Sequence, residues 1–152
     1  MLRRGFLTGL GAGWALAALP AGAKDLPWQP PAASHEAFMA RAIELSRIGA
    51  ANGDGTPYGA VVVQRGVIVG EGWNRTAAKT DPTAHAEIEA IQAATRHLAR
   101  RGLAGCVLYT NGGRPCPMCE GAAYYASLDR VYHAHTADAI TDAGPPQISY
   151  CR

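Results

Sequence analysis

Cys116 and Cys119 stand three residues apart in Pro115-Cys116-Pro117-Met118-Cys119, a spacing that turns both sulfurs the same way on the first turn of a helix. Thiolates prefer a soft or borderline metal, and Zn²⁺ takes Cys and His ligands in a tetrahedron. Some thirty residues upstream, His85-Ala86-Glu87 supplies an imidazole, which makes three ligands with the two sulfurs. Three protein ligands and an open fourth position describe a catalytic rather than a structural zinc. Glu87 beside the ligand is placed to move the protons of a water there. Each piece is ambiguous alone. His-x-Glu triplets arise by chance, and Cys-Pro-Met-Cys also resembles the redox pair of thioredoxin-like oxidoreductases. That fold needs more chain after its motif than the 33 residues that follow Cys119. A purely structural zinc is the other alternative.

Residues two apart on a helix point roughly 200° away from each other. His85 and Glu87 therefore share a site only if it lies off the helix's N-terminal end. The pattern Asp81-Pro82 suggests a helix that starts there, with Asp81 as N-cap and Pro82 at the first position. Its expected buried stripe is Ile88, Ile91, Thr95 and Leu98, and Gly102 ends it. Pro117 starts a second such helix, expected to reach about Ser127. Two helix N-termini then converge on the metal, and their positive ends favour thiolate.

The rest of the chain supplies a frame. Ser34 caps an expected helix with an apolar face of Phe38, Ala42, Leu45 and Ile48/Gly49. Tyr58 to Val63 and Val67 to Trp73, joined through Gln64-Arg65-Gly66, read as a hairpin. Val107 to Thr110 and Arg130 to His135 are further strands. Strands alternating with helices after a hairpin imply an α/β domain with a mixed sheet. His35, His97, His133 and His135 fall outside the ligand set and read as structural or solvated.

His85-x-Glu87 followed by Pro115-Cys116-x-x-Cys119 is the zinc deaminase signature. With Pro57-Tyr58-Gly59-Ala60-Val61-Val62-Val63, Gly72-Trp73-Asn74-Arg75, Asp81-Pro82-Thr83-Ala84 and Asp129-Arg130-Val131-Tyr132, the chain resembles the cytidine/deoxycytidylate deaminase superfamily, nearest to its bacterial guanine deaminase and nucleoside deaminase branch. The likeness runs from about Ser34 to Ala143. It implies a three-layer sandwich whose mixed sheet has about five strands, one Zn²⁺ per chain on His85, Cys116 and Cys119, and Glu87 as proton shuttle. The implied reaction is hydrolytic deamination of a small nucleobase or nucleoside, guanine-like first, with cytosine or an adenosine analogue next. Asn74 would hydrogen-bond the base or sugar, the backbone of Ala86 and Pro115 would line the pocket, and Tyr125 would pack on the base. Tyr58, in place of the usual phenylalanine, frames the pocket or joins the core. The family also implies a homo-oligomer. A tRNA adenosine deaminase and a catalytically silent zinc domain of the same fold are the alternatives.

Two stretches depart from the family. Asn111-Gly112-Gly113-Arg114 is one residue longer than usual before Pro-Cys, with Arg114 where an acid is common. After Ala143-Gly144 the acid that reads a purine edge is replaced by Pro145-Pro146-Gln147.

Of 152 residues, the first 23 are set apart. Arg3-Arg4-x-Phe6-Leu7, an apolar run to Leu19 and Ala21-Gly22-Ala23 resemble a twin-arginine signal with a small-residue cleavage site, hence export to the periplasm. An uncleaved anchor is the alternative, for which the run is short and glycine-rich. Residues 24–33, with Pro27, Pro30 and Pro31, form an extended leader, and 34–152 the zinc domain. Of the 14 Lys and Arg, only Arg3 and Arg4 fall in 1–23, and none of the 12 acids does, so the remainder balances 12 against 12. A protein gripping nucleic acid needs a basic track, which argues here for a small diffusible substrate. Cys106, in an apolar strand, reads as a buried free thiol. The family's strand order puts a strand near Cys151 two ladder spacings, roughly 9–10 Å, from Cys106, beyond the reach of a disulfide.

Overall fold

A computed structural model describes residues 27–147. The expected signal in residues 1–23 and the placement of Cys151 lie outside them. Helix α1 (His35–Asn52) is followed by strands β1 (Gly59–Gln64) and β2 (Val67–Trp73), a short helix α2 (Thr76–Lys79) and helix α3 (Ala86–His97). Strand β3 (Cys106–Asn111), helix α4 (Pro117–Tyr125), and strands β4 (Arg130–Ala134) and β5 (Thr141–Gly144) complete the order.

β1 and β2 form the expected hairpin. Arg65 (φ 49°) and Gly66 (φ 79°) both take positive φ at its turn, the twist that suits a two-residue connection. The five strands lie in the order β2-β1-β3-β4-β5, antiparallel except for the β3–β4 pair, which α4 connects. Side chains alternate along each strand, so β1 feeds two cores. Val61 and Val63 pack with Phe38, Met39, Leu45 and Tyr109 under α1. Ala60 and Val62 pack with Ala86, Ala90, Ala94, Leu108 and Ala123 under α3 and α4. The result is the expected three-layer α/β sandwich.

Ser34 caps α1 as expected, its hydroxyl accepting from Ala37 N at 3.1 Å. Phe38, Ala42 and Leu45 are buried, but of the Ile48/Gly49 pair only Gly49 faces the core. A Cβ on Gly49 would lie 2.4 Å from Trp73 Cδ1, so a glycine is what lets the indole pack there.

Several boundaries differ from the sequence reading. Helix α3 begins at Ala86, because Asp81 spends its carboxylate on a turn, accepting from Thr83 N and Thr83 Oγ1 at 2.8 and 2.7 Å. Its buried face is Ala86, Ala90, Ile91 and Ala94, with Ile88, Thr95 and Leu98 only half-buried. α4 ends at Tyr125, and Ser127 turns the chain with φ 58°. His135 lies past the end of β4. The fifth strand is Thr141–Gly144, well before Cys151. Cys106 is the expected buried free thiol.

The leader is anchored rather than merely extended. Gln29 Nε2 donates to Ile68 O and Ile68 N donates to Gln29 Oε1, both at 2.8 Å, so a side-chain amide mimics a strand beside β2. Trp28 lies 5.0 Å from the guanidinium of Arg41, which in turn is bound by Glu71 of β2. No helix among the described residues is long and apolar enough to cross a membrane.

Candidate active site

The two helices facing the second core start at the same place. His85 is the N-cap of α3 and Cys116 the N-cap of α4, both in extended conformation and neither using its side chain to cap. The imidazole and the thiol are therefore left for each other. His85 Nδ1 lies 3.7 Å from Cys116 Sγ and 3.5 Å from Cys119 Sγ, and the three ligand atoms all fall within 4.8 Å of one another. A tetrahedral ion with Zn–S of about 2.3 Å and Zn–N of about 2.05 Å holds nitrogen and sulfur roughly 3.6 Å apart. The observed spacings fit that requirement.

The electrostatics fit too. Cys119 is fully buried, and its Sγ–H donates to Glu87 Oε2 at 3.4 Å. Burial first, and then the adjacent Glu87 carboxylate, push this thiol far above its ordinary value. A divalent cation at this point supplies the positive charge that such a sulfur needs to ionise, and the two helix N-termini add to it. Glu87 itself is 8% exposed, in the first turn of α3.

Small residues bring α3 this close. A Cβ on Gly72 would lie 2.4 Å from Ala90 N and 2.5 Å from Ala86 O, and one on Gly70 would lie 2.5 Å from Ala90 O. The turn before the helix is tied down by Arg75 N donating to Ala84 O at 2.9 Å.

A cleft of about 340 Å³ opens over the ligands, with Tyr58, Asn74, Ala86 and Glu87 among its walls. Asn74 is 4% exposed, and its Oδ1 accepts from both Thr76 N (3.2 Å) and Thr76 Oγ1 (2.8 Å). The backbone donor fixes the oxygen, so Nδ2 has no protein partner among the described residues. α2, which carries Thr76, is itself capped by Asp54 O, which accepts from Ala77 N and Ala78 N at 3.0 Å each. Lys79 Nζ binds both oxygens of Glu89 at 2.6 and 2.7 Å and pins α2 to α3. Ala86, first in α3, adds a backbone N–H without a partner in the helix. Tyr58 stands at the mouth, 47% exposed, against Gly112, whose φ of 107° favours glycine and where an added Cβ would lie 2.8 Å from Tyr58 Cε1. Tyr58 thus frames the cleft and is not part of the core.

The long connection before Pro-Cys has a specific shape. Asn111 belongs to β3, its Oδ1 accepting from Gly59 N at 2.5 Å and its Nδ2 donating to Pro57 O at 3.2 Å. Arg114 sits on the cleft rim and is clamped by Glu120 of α4, with Nη2 to Oε1 at 2.6 Å and Nε to Oε2 at 3.3 Å.

Two residues expected to touch the substrate do not line this cleft. Tyr125 is the last residue of α4, 76% exposed and outside the cleft; six residues past Cys119 is about 9 Å along the helix. Pro115 is buried, but it lines a small cavity against Val131 and Ala143 rather than the cleft. Thr76 went unseen in the sequence, and Asn111, read there as loop, is the last residue of β3. The Asn74-x-Thr76 spacing, which lets an Asx side chain bond to a backbone two residues on, is the signal for the first.

Residues 32–135 match the family model described as the cytidine and deoxycytidylate deaminase zinc-binding region. The chain is 43% identical over 111 residues to guanine deaminase of Bacillus subtilis, an alignment that covers 73% of this chain and 70% of that protein. It is 38% identical over 97 residues to the tRNA-specific adenosine deaminase of Haemophilus influenzae, covering 63% of this chain and 55% of the relative. The X-ray structure of the Bacillus subtilis guanine deaminase superposes with a TM-score of 0.63 over 68% of this chain and 64% of that one. With a family match over most of its length, and a His/Cys/Cys group that could hold a metal ion gathered at two helix ends, the chain belongs to the cytidine and deoxycytidylate deaminase zinc-binding family.

Proposed function

We propose that the protein is a zinc-dependent hydrolase that deaminates a small nucleobase or nucleoside, guanine-like first, and releases ammonia. The observation that carries this is the Glu87 carboxylate beside Cys119, in the wall of a cleft whose neighbouring residues are a complete His/Cys/Cys ligand set. His85 Nδ1 and the sulfurs of Cys116 and Cys119 would hold one Zn²⁺ per chain. Zinc so held supplies Lewis acidity and lowers the pKa of water toward neutrality. Glu87 would carry one proton of the attacking water to the ring nitrogen and then the second, from the resulting hydroxyl, to the amino group that leaves as ammonia. Asn74 Nδ2, fixed by Thr76, and the Ala86 N–H orient the base.

The test is ammonia release from the zinc-loaded protein across guanine, cytosine, adenine and their nucleosides. Glu87→Gln is expected to keep its zinc and lose turnover by at least about 100-fold. Substantial activity in that variant overturns the mechanism. A tRNA adenosine deaminase is the second reading, supported by the Haemophilus relative and opposed by the balanced charge of residues 24–152. Inosine formation in a tRNA transcript without activity on free bases would favour it. Silence on every substrate with zinc bound would favour a binding domain. The reading further includes a homo-oligomer, checked by light scattering, and export through residues 1–23, checked by fractionating cells that express the full chain.

A further inference from the structure

The cleft's hydrogen-bonding groups divide unevenly. Asn111 has both ends of its amide engaged, on Gly59 and Pro57, and Glu87 is committed to proton transfer. Groups of the cleft without a protein partner among the described residues include the donors Asn74 Nδ2, the Ala86 N–H and, at the rim, Nη1 of Arg114, which also borders the small cavity beside Glu120. Glu120 grips the guanidinium along one edge, through Nε and Nη2, and leaves Nη1 without a partner among the described residues. Glu120 Oε1 also accepts from Gln147 N at 3.3 Å, which steadies the clamp from the chain's far end. The two-point contact with Glu120 orients the guanidinium, although the Arg114 side chain is 56% exposed. Pairing with Glu120 also cancels much of its charge, which favours a neutral acceptor over an anion as its ligand.

We propose that Arg114 is a specificity-determining residue that donates from Nη1 to a ring oxo group, so that the substrate is an amino-oxo base and not an amino base lacking the oxygen. The inference rests on the deaminase reading. An oxo group presents lone pairs to Nη1, whereas an amino group in the same place sets donor against donor and leaves Nη1 unpaired (a polar mismatch discriminates far more strongly than a change of size).

Two matched pairs test it on the zinc-loaded protein: guanine against 2,6-diaminopurine, and cytosine against 2,4-diaminopyrimidine. In each pair the oxo group is exchanged for an amino group and one ring N–H becomes a bare nitrogen, so the effect of removing Arg114 is read as the change in each member on substitution. The unaltered protein is expected to favour the oxo member of its preferred pair by at least about tenfold in kcat/KM. Arg114→Met, which keeps the stem and removes the donors, is expected to lower kcat/KM for the oxo member by about 10- to 100-fold, mainly through KM, and to leave the diamino member within about threefold. Arg114→Lys should recover part of the loss. Equal losses on both members would mean that the residue only shapes the loop, and no loss on either would mean that it makes no contact; both overturn the proposal. Ammonia from none of these four bases, nor from adenine and the nucleosides of the panel above, overturns the deaminase reading itself, a result distinct from either.

Discussion

Gly72→Ala tests how the site is assembled. The new methyl would lie 2.4 Å from Ala90 N, 2.5 Å from Ala86 O and 2.7 Å from Glu89 Cβ. Two of these are backbone atoms of α3, so no side-chain rotation relieves the clash. Ordinary contact needs about 3.5 Å, and α3 must therefore lift from β2 by roughly 1 Å. Overpacking of this kind costs about 1–3 kcal/mol, with the upper end expected against backbone. The same lift displaces His85 and Glu87, which lie at the raised end, and a misplacement of about 1 Å costs on the order of 100-fold in rate. Urea unfolding of the zinc-free protein reads the first effect. Competition for zinc against a coloured chelator and kcat/KM read the second. Gly102→Ala, where nothing lies within 4 Å of the added methyl, is the control and should change neither. If Gly72→Ala unfolds at the same urea concentration and holds zinc as tightly as the unaltered protein, the seating of α3 on glycine is refuted.

Thr76→Val removes the 2.8 Å hydroxyl bond to Asn74 Oδ1 but keeps the backbone one. KM is expected to rise about fivefold with little change in kcat, and Thr76→Ser should restore it; steady-state kinetics decides. Gly121→Ala, inside α4 with nothing within 4 Å, should stabilise the fold by about 0.5–1 kcal/mol in urea melts. Arg114, first among the causes, holds the Glu120 carboxyl below its ordinary 4.5. Its contribution is present above the unfolded value and lost as pH falls through the lower folded one, so Glu120→Gln should flatten stability below about pH 4.5 and leave the fall on the alkaline side unmoved.

The convergence of His85, Cys116 and Cys119 was legible because the spacing is local: Cys116 and Cys119 share one helical turn, and His85 and Glu87 a single triplet. The α/β frame followed from the alternation of strands and helices. The face of α3 was misread for a physical reason. Periodicity looks for large apolar side chains, such as Ile88 and Leu98, whereas β2 presents Gly70 and Gly72, and the helix settles onto them through Ala86, Ala90 and Ala94. Asp81 was misread because a carboxylate before proline caps a turn as readily as a helix. The direction of Asn74's amide depends on the Thr76 N–H in a four-residue helix that has no buried residue, which a hydrophobic pattern does not register. Tyr125 was placed by likeness to relatives, and only the length of α4 shows how far from the ligands it stands.

The amide of Gln29 does one thing more. Among the described residues β2 is the outermost strand on its side of the sheet, and a bare outermost strand invites a strand from another molecule to add to it. By occupying both polar groups of Ile68, Gln29 stops such a ladder at its first rung. A chain trimmed to Ser34 would keep every residue of the cleft and still lose this stopper, so that it should clump at concentrations where the longer chain stays dispersed.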